Sequence, residues 1–143
     1  MKWLDQDIQM SYLGSYPLAK VVNFVTMKVT NHEVFHLHAE FCKVLANPKR
    51  LMIIALLSKQ EMSVGELAEA TETALPTISQ HLRVLREHHI VATRKEGQTV
   101  YSSLVDPRIM EACTKIRAVL LDSMKRRGVI AREIDPLGVS RED

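Results

Sequence analysis

Residues 63–87 read SVGELAEATETALPTISQHLRVLRE, and the punctuation of this stretch decides the fold. Ser63-Val64-Gly65-Glu66 is a capping box. The Ser63 hydroxyl can accept from the Glu66 amide while the Glu66 carboxylate reaches back, so a helix is predicted from Val64 to about Ala70. A break follows, with the expected cap at Thr73 or nearby and Pro76 in the first turn of a longer helix to about His88. At 100° per residue, Ile78, Leu82 and Leu85 line one side of that helix with Val84 near them. Pro76, Ser79, Gln80 and Arg83 share the other side.

Upstream, Asn47-Pro48 supplies a cap and a proline at the first helical position, predicting a buried helix over Lys49 to Leu57. Before it, Asn31 can cap a helix to about Ala46 in which Val34, Leu37, Phe41, Val44 and Leu45 form one stripe. Downstream, Ile90 to Arg94 and Thr99 to Leu104 flank Lys95-Glu96-Gly97-Gln98, a short hairpin around a glycine turn. Asp106-Pro107 opens a last helix to about Arg127. Gly128 ends it, and Lys125, Arg126 and Arg127 suit the macrodipole of its final turn. Four helices, a hairpin and a helix make a mainly α chain with a small β-hairpin. This is the order of a winged helix-turn-helix with two extra helices outside it.

The 143 residues are 46% hydrophobic and 25% charged, a composition that excludes disordered and collagen-like classes and suits one globular domain. No apolar run approaches the ~20 residues of a membrane helix, and Met1-Lys2-Trp3-Leu4 followed by Asp5 and Asp7 lacks the order of a secretory signal. The expectation is a cytoplasmic protein with no membrane partner. Residues 1–30 hold Trp3, Tyr12, Tyr16 and Phe24 without sustained period and are expected to form a poorly ordered arm or a short helix packed on a partner, and Met27 would serve equally well as a start. Residues 31–128 would be the domain, and 129–143 a mobile tail.

The outward face of the Pro76 helix is short, polar and able to hydrogen-bond. Gln80 can pair bidentately with adenine, Ser79 can meet base or phosphate, and Arg83 can reach phosphate or guanine. A glycine turn with Arg94, Lys95, Gln98 and Thr99 around it is what a wing needs to touch neighbouring phosphates. The net charge of +2 is a cancellation. Glu61, Glu66, Glu69 and Glu72 make residues 61–72 purely acidic, while Arg83, Arg86, Arg94 and Lys95 gather in the second helix and the wing.

Four runs carry a family resemblance over roughly residues 33–125. They are Leu45-Ala46-Asn47-Pro48-Lys49-Arg50-Leu51, Ser63-Val64-Gly65-Glu66-Leu67-Ala68, Pro76 to Arg86, and Arg94-Lys95-Glu96-Gly97-Gln98-Thr99-Val100-Tyr101. In that order they closely resemble the ArsR/SmtB family of bacterial and archaeal repressors. The resemblance implies a homodimer on a palindromic double-stranded DNA operator, joined through its first and last helices and released by an inducer, often a metal ion. Ile109, Cys113, Ile116 and Leu120 form a stripe on the last helix that suits such a joint. Two reading helices would then lie about one DNA turn apart, ~34 Å. The expected DNA-binding residues are Leu75, Pro76, Thr77, Ser79, Gln80 and Arg83, with Arg94, Lys95, Gln98 and Thr99 of the wing. Ala74 and Leu75 depart from the Ser-Gln pair that usually caps and begins the reading helix. Leu75 can touch a thymine methyl but cannot hydrogen-bond a base.

Both metal sites familiar from the resemblance are altered. Ser63 and Gly65 stand where thiolates would be needed, and Asp106 is accompanied by Arg108, Val119 and Asp122, of which the arginine would repel a cation. No cofactor is therefore expected, a metal ion remaining open. The plainest reading of Cys42 and Cys113 is two small buried hydrophobes. Two others stay open: sensing thiols joined by a disulfide or sulfur chain, or a metal set of His38, Cys42 and Cys113. No nucleophile, base and orienting group appear at matched spacings, so an enzyme is not expected. A winged-helix module that docks a protein instead of DNA is the alternative function, favoured by Leu75 and opposed by Ser79, Gln80 and Arg83.

Overall fold

A computed structural model of the chain describes residues 31–128 and Gly138. The expected arm over 1–30 and, Gly138 apart, the tail over 129–143 lie outside these residues. By proximity of Cα atoms the chain divides into Met1–His36 and Leu37–Asp143, and nearly all described residues belong to the second unit. Its elements are α1 (His32–Leu45, entering from the first unit), α2 (Pro48–Leu57), β1 (Met62–Ser63), α3 (Val64–Ala70), α4 (Leu75–Glu87), β2 (Val91–Glu96), β3 (Thr99–Leu104) and α5 (Arg108–Arg126).

Local chemistry accounts for most boundaries. Asn31 Oδ1 accepts from the Val34 amide at 3.3 Å, and Asn47 Oδ1 accepts from the Arg50 amide at 3.1 Å with Pro48 at the first helical position. The capping box of α3 is complete, the Glu66 amide donating to Ser63 Oγ at 3.2 Å and the Ser63 amide to Glu66 Oε2 at 2.7 Å. That carboxylate is held below its ordinary range by the Ser63 backbone and side chain.

Three sequence expectations are corrected. Thr73 does not cap α4: its hydroxyl donates to the Thr71 carbonyl at 2.9 Å, and the cap position falls to Ala74, which has no side-chain acceptor. The turn between α3 and α4 closes instead through backbone bonds from Glu72 to Glu69 (3.0 Å) and Thr73 to Ala68 (2.9 Å), with Glu72 at φ +49°. This is a helix terminus of the Schellman type with glutamate where glycine is usual. Second, Lys95 and Glu96 belong to β2, so the turn shrinks to Gly97-Gln98, with Gly97 at the positive φ of +59° that a two-residue hairpin turn favours. Third, Met62–Ser63 is a strand, pairing antiparallel with β3 (Met62 opposite Ser102, Ser63 opposite Tyr101) to make a three-stranded sheet ordered β1-β3-β2. Only its non-local partner makes so short a segment a strand.

Ile53, Ile54, Leu67, Ile78, Leu85 and Ile90 are fully buried and, with Val91, Met62 and Leu82, form the core between helices and sheet. The α4 face arithmetic is matched: Ile78, Leu82 and Leu85 point inward and Val84 packs partly buried against them. α4 ends as α3 does, with His89 at φ +56° and amide bonds from His89 to Arg86 (3.0 Å) and Ile90 to Leu85 (2.9 Å). The outer helices are only half used. Met110 and Cys113 of α5 and Val44 of α1 enter the core, whereas Leu37, Phe41, Ile116, Val119 and Leu120 are bare.

Candidate nucleic-acid interface

All ten residues expected to meet DNA are exposed: Leu75, Pro76, Thr77, Ser79, Gln80 and Arg83 on α4, and Arg94, Lys95, Gln98 and Thr99 on the hairpin. α4 presents the first six because Ile78, Leu82 and Leu85 turn one face to the core and leave the opposite face outward. No side chain caps its start, and the Thr77 and Ile78 amides both bond the Ala74 carbonyl, at 2.9 and 3.1 Å. Leu75 stands 53% exposed at the start of the helix, an apolar surface beside Ser79.

The electrostatics differ from the sequence picture of free cations. Arg83 Nε donates to Glu87 Oε1 at 3.0 Å, one helical turn on. Arg94 is engaged more fully. Its Nε donates to Glu61 Oε2 at 2.9 Å and its Nη2 to the other Glu61 oxygen, while Nη1 donates to Glu96 at 2.6 Å. Its guanidinium carbon also lies 4.7 Å from the centroid of the Tyr101 ring. The hydrogen bonds to Glu61, then those to Glu96, push the Arg94 pKa up further, and the same contact draws the Glu61 carboxyl below its ordinary value. Lys95 and Arg86 have no such carboxylate among the described residues. Sequence reasoning missed Glu61, Glu87, Glu96 and Tyr101. Spacing of four could have found Glu87, and alternation on β2 could have found Glu96. Nothing local points to Glu61, 33 residues from Arg94.

His81 lies half-buried on the inner shoulder of α4. Burial lowers its pKa first, and Arg50 and Lys49 add to the effect, so the imidazole is neutral near pH 7 and brings no charge to the outer face. Lys49 Nζ itself donates to the Thr71 carbonyl at 2.7 Å, tying the start of α2 to the turn before α4. His88 and His89 are exposed at the helix end.

At the head of α5, Arg108 occupies the Asp106 carboxylate, with Nε 3.0 Å from both oxygens and Nη2 2.6 Å from one. These bonds hold Asp106 down at about 2. Among the described residues no three His, Cys, Asp or Glu side chains are grouped to hold a metal ion, so the His38, Cys42 and Cys113 set does not converge within one chain. Cys42 is exposed and Cys113 buried, both as free thiols. Burial raises the Cys113 pKa, Arg117 opposes the rise and Cys42 adds to it. Among the described residues no helix is long and apolar enough to cross a membrane.

Comparison with known proteins bears on the same segment. The profile described as "Bacterial regulatory protein, arsR family" matches residues 47–93, from the α2 cap into β2. The nodulation protein NolR of Rhizobium meliloti is 44% identical over 72 residues, 50% of this chain and 59% of NolR. The HTH-type transcriptional regulator Rv0081 of Mycobacterium tuberculosis is 35% identical over 103 residues, 71% of this chain and 90% of that protein. Its crystal structure superposes with a TM-score of 0.60 at 36% identity, covering 67% of this chain and 97% of that one. The crystal structure of NolR from Sinorhizobium fredii gives 0.58 at 35% identity, covering 65% and 93%. The chain spans about three fifths of the length of several curated relatives, NolR among them.

Proposed function

This chain belongs to the arsR family of bacterial regulatory proteins, and from that membership we propose that it is a homodimeric repressor that reads a palindromic operator in double-stranded DNA in the cytoplasm. The observation that carries the reading is the exposed polar face of α4 beside a wing. Gln80 and Ser79 are assigned to base edges, Leu75 to a thymine methyl, and Pro76 and Thr77 to the close approach of the helix start. Arg83, Lys95, Gln98 and Thr99 are assigned to the backbone that positions them. The two-fold contact is assigned to α1 and α5, because Ile116, Val119 and Leu120 stand 70%, 67% and 53% exposed on a helix whose first half is core. A patch of this kind on an isolated chain marks an interface.

Control of DNA binding is assigned to Cys42 and Cys113. Cys113 sits where α5 passes from core to bare surface, and Cys42 is near enough to influence its ionisation. Joining the two thiols as a disulfide would therefore bear directly on the helices assigned to pair the protomers. The two-electron oxidant is a polysulfide, which shortens by one sulfur while that sulfur leaves as hydrogen sulfide with both thiol protons. The test is a gel shift on the DNA upstream of the gene, with reductant, with polysulfide and with thiophilic metals. Retardation under reductant and release by polysulfide, lost in Cys113→Ser, is the expected result. No retardation under any condition would refute the DNA reading, and equal release of the cysteine variant would return Cys113 to the role of a packing residue and leave Cys42 without a sensing role.

A further inference from the structure

We propose that Arg94 is a strut that sets the pitch of the wing, a positioning residue held by Glu61, and that Lys95 beside it is the wing's cation for DNA phosphate. The inference rests on the DNA reading above and replaces the DNA contact that the sequence led us to expect of Arg94.

Strand register gives the reason. Ser63, Tyr101 and Arg94 are partners across β1, β3 and β2, so their side chains share one face of the sheet, and Glu61, two residues before Ser63, has the same parity. The opposite face carries Met62, Ser102 and Val91, all buried. It is the face on which the helices pack, and Lys95 belongs to it. Arg94 therefore points away from the helices and lies over Tyr101 on the outer face, while Lys95 points to the side of α4.

The clamp also sits where the sheet narrows. β1 pairs only at Ser102 and Tyr101, and beyond this level the wing is two strands and a turn, an arrangement with little stability of its own. Glu61 belongs to the body, just before β1, whereas Arg94 and Glu96 belong to the hairpin. A bidentate guanidinium-carboxylate pair fixes direction as well as distance. With a second carboxylate on Nη1 and an aromatic ring beneath, it is a network, the circumstance in which an exposed ion pair has mechanical effect. From the Arg94 level the strands run three residues to the turn, about 10 Å. A swing of about 15° at the clamp would shift Lys95, Gln98 and Thr99 by up to about 2 to 3 Å, the difference between a hydrogen bond to phosphate and none.

The cluster of Arg94, Glu61 and Glu96 has a net charge of −1, so its face is unsuited to DNA. Lys95, with no carboxylate partner among the described residues, is suited to it.

The experiment measures binding to the upstream DNA and to a random-sequence duplex across a salt series, for the full chain and for Arg94→Ala, Arg94→Lys, Glu61→Gln, Lys95→Ala and Arg94→Ala/Glu61→Gln. Hydrogen exchange of the hairpin amides is followed in the free proteins. If Arg94 is a strut, Arg94→Ala and Glu61→Gln each weaken binding about three- to tenfold with the salt slope unchanged, and the double variant is no weaker than Arg94→Ala. Arg94→Lys, which keeps the charge but cannot bridge both carboxylates, fails to rescue, and hairpin exchange rises in all four variants at position 94 or 61. Lys95→Ala lowers the salt slope by about one unit, with hairpin exchange unmoved. A slope lowered by Arg94→Ala, tighter binding by Glu61→Gln, or wild-type affinity in Arg94→Ala would overturn the proposal. Were the wild-type chain to bind no duplex, the DNA reading would fail by itself, and hairpin exchange would still decide the strut: no rise in Arg94→Ala and Glu61→Gln would refute it.

Discussion

Ile116→Glu should separate the protomers without unfolding them. Ile116 is 70% exposed and lies outside the core cluster, so the folded chain does not depend on it. Covering an isoleucine fully is worth about 1.5 to 3 kcal/mol, and covering the exposed share of this one about 1 to 2 kcal/mol. A two-fold interface uses each residue twice. The substitution therefore removes about 2 to 4 kcal/mol of association energy, a rise in dimer dissociation constant of about 30- to 1,000-fold. Burying two carboxylates would only add to that. Sedimentation velocity over a micromolar dilution series reads the constant, and far-UV circular dichroism with thermal melting of the diluted monomer checks the fold. An unchanged dissociation constant would refute the assignment of α5 to the interface. Loss of the folded monomer would refute the placing of Ile116 outside the core.

Gln80→Ala should relax base preference at one operator position by about 1 to 3 kcal/mol, read by competition among duplexes differing at single base pairs. Undiminished discrimination at every position would remove Gln80 from the groove. His89→Gly should stabilise the chain by about 0.5 to 1 kcal/mol, because glycine relieves the left-handed strain at φ +56° more than it adds entropy to the unfolded chain, and a lower urea midpoint would contradict this. For His81 the folded pKa is below the ordinary 6.5, so on acidification the unfolded chain binds a proton that the folded chain refuses. Stability is thereby lost as pH falls from about 6.5 toward the folded value. His81→Gln should flatten that loss in urea titrations at pH 7.5, 6.5 and 5.5, and an unaltered slope would assign it to other groups.

What was legible in the sequence is what local chemistry decides. Asn47-Pro48 and Ser63 to Glu66 each carry donor and acceptor within four residues, and the inward face of α4 follows from helical period alone. The errors fall where a second, distant partner decides. Thr73 was a reasonable cap until the Thr71 carbonyl took its hydroxyl. Met62 and Ser63 became a strand through β3, some forty residues on. For the site, the exposed polar residues of α4 were readable because exposure is the complement of a periodic core. The state of Arg94 was not, because Glu61 is brought to it only by the register of three strands.

The charge pattern gains a different meaning from the same register. Read along the chain, the acidic run 61–72 and the basic group of α4 and the wing are separate; folded, they meet where Glu61 pairs with Arg94, while Glu87 engages Arg83 within α4. Of the four basic residues of α4 and the wing, Arg86 and Lys95 carry no ion pair among the described residues. These two cations of α4 and the wing, four in a two-fold dimer, would give a salt slope of about −4 if all met phosphate. That is well short of proteins that make six to ten phosphate contacts. Arg83 can add to it, because an exposed pair one helical turn apart exchanges a carboxylate for a phosphate at little cost, whereas Arg94 is held by two carboxylates and a ring. Affinity then has to come from the short polar face of α4 held in register by the wing. If the protomers pair through α1 and α5 as proposed, such affinity would be vulnerable to small displacements of those helices, which would set the spacing of the two reading heads.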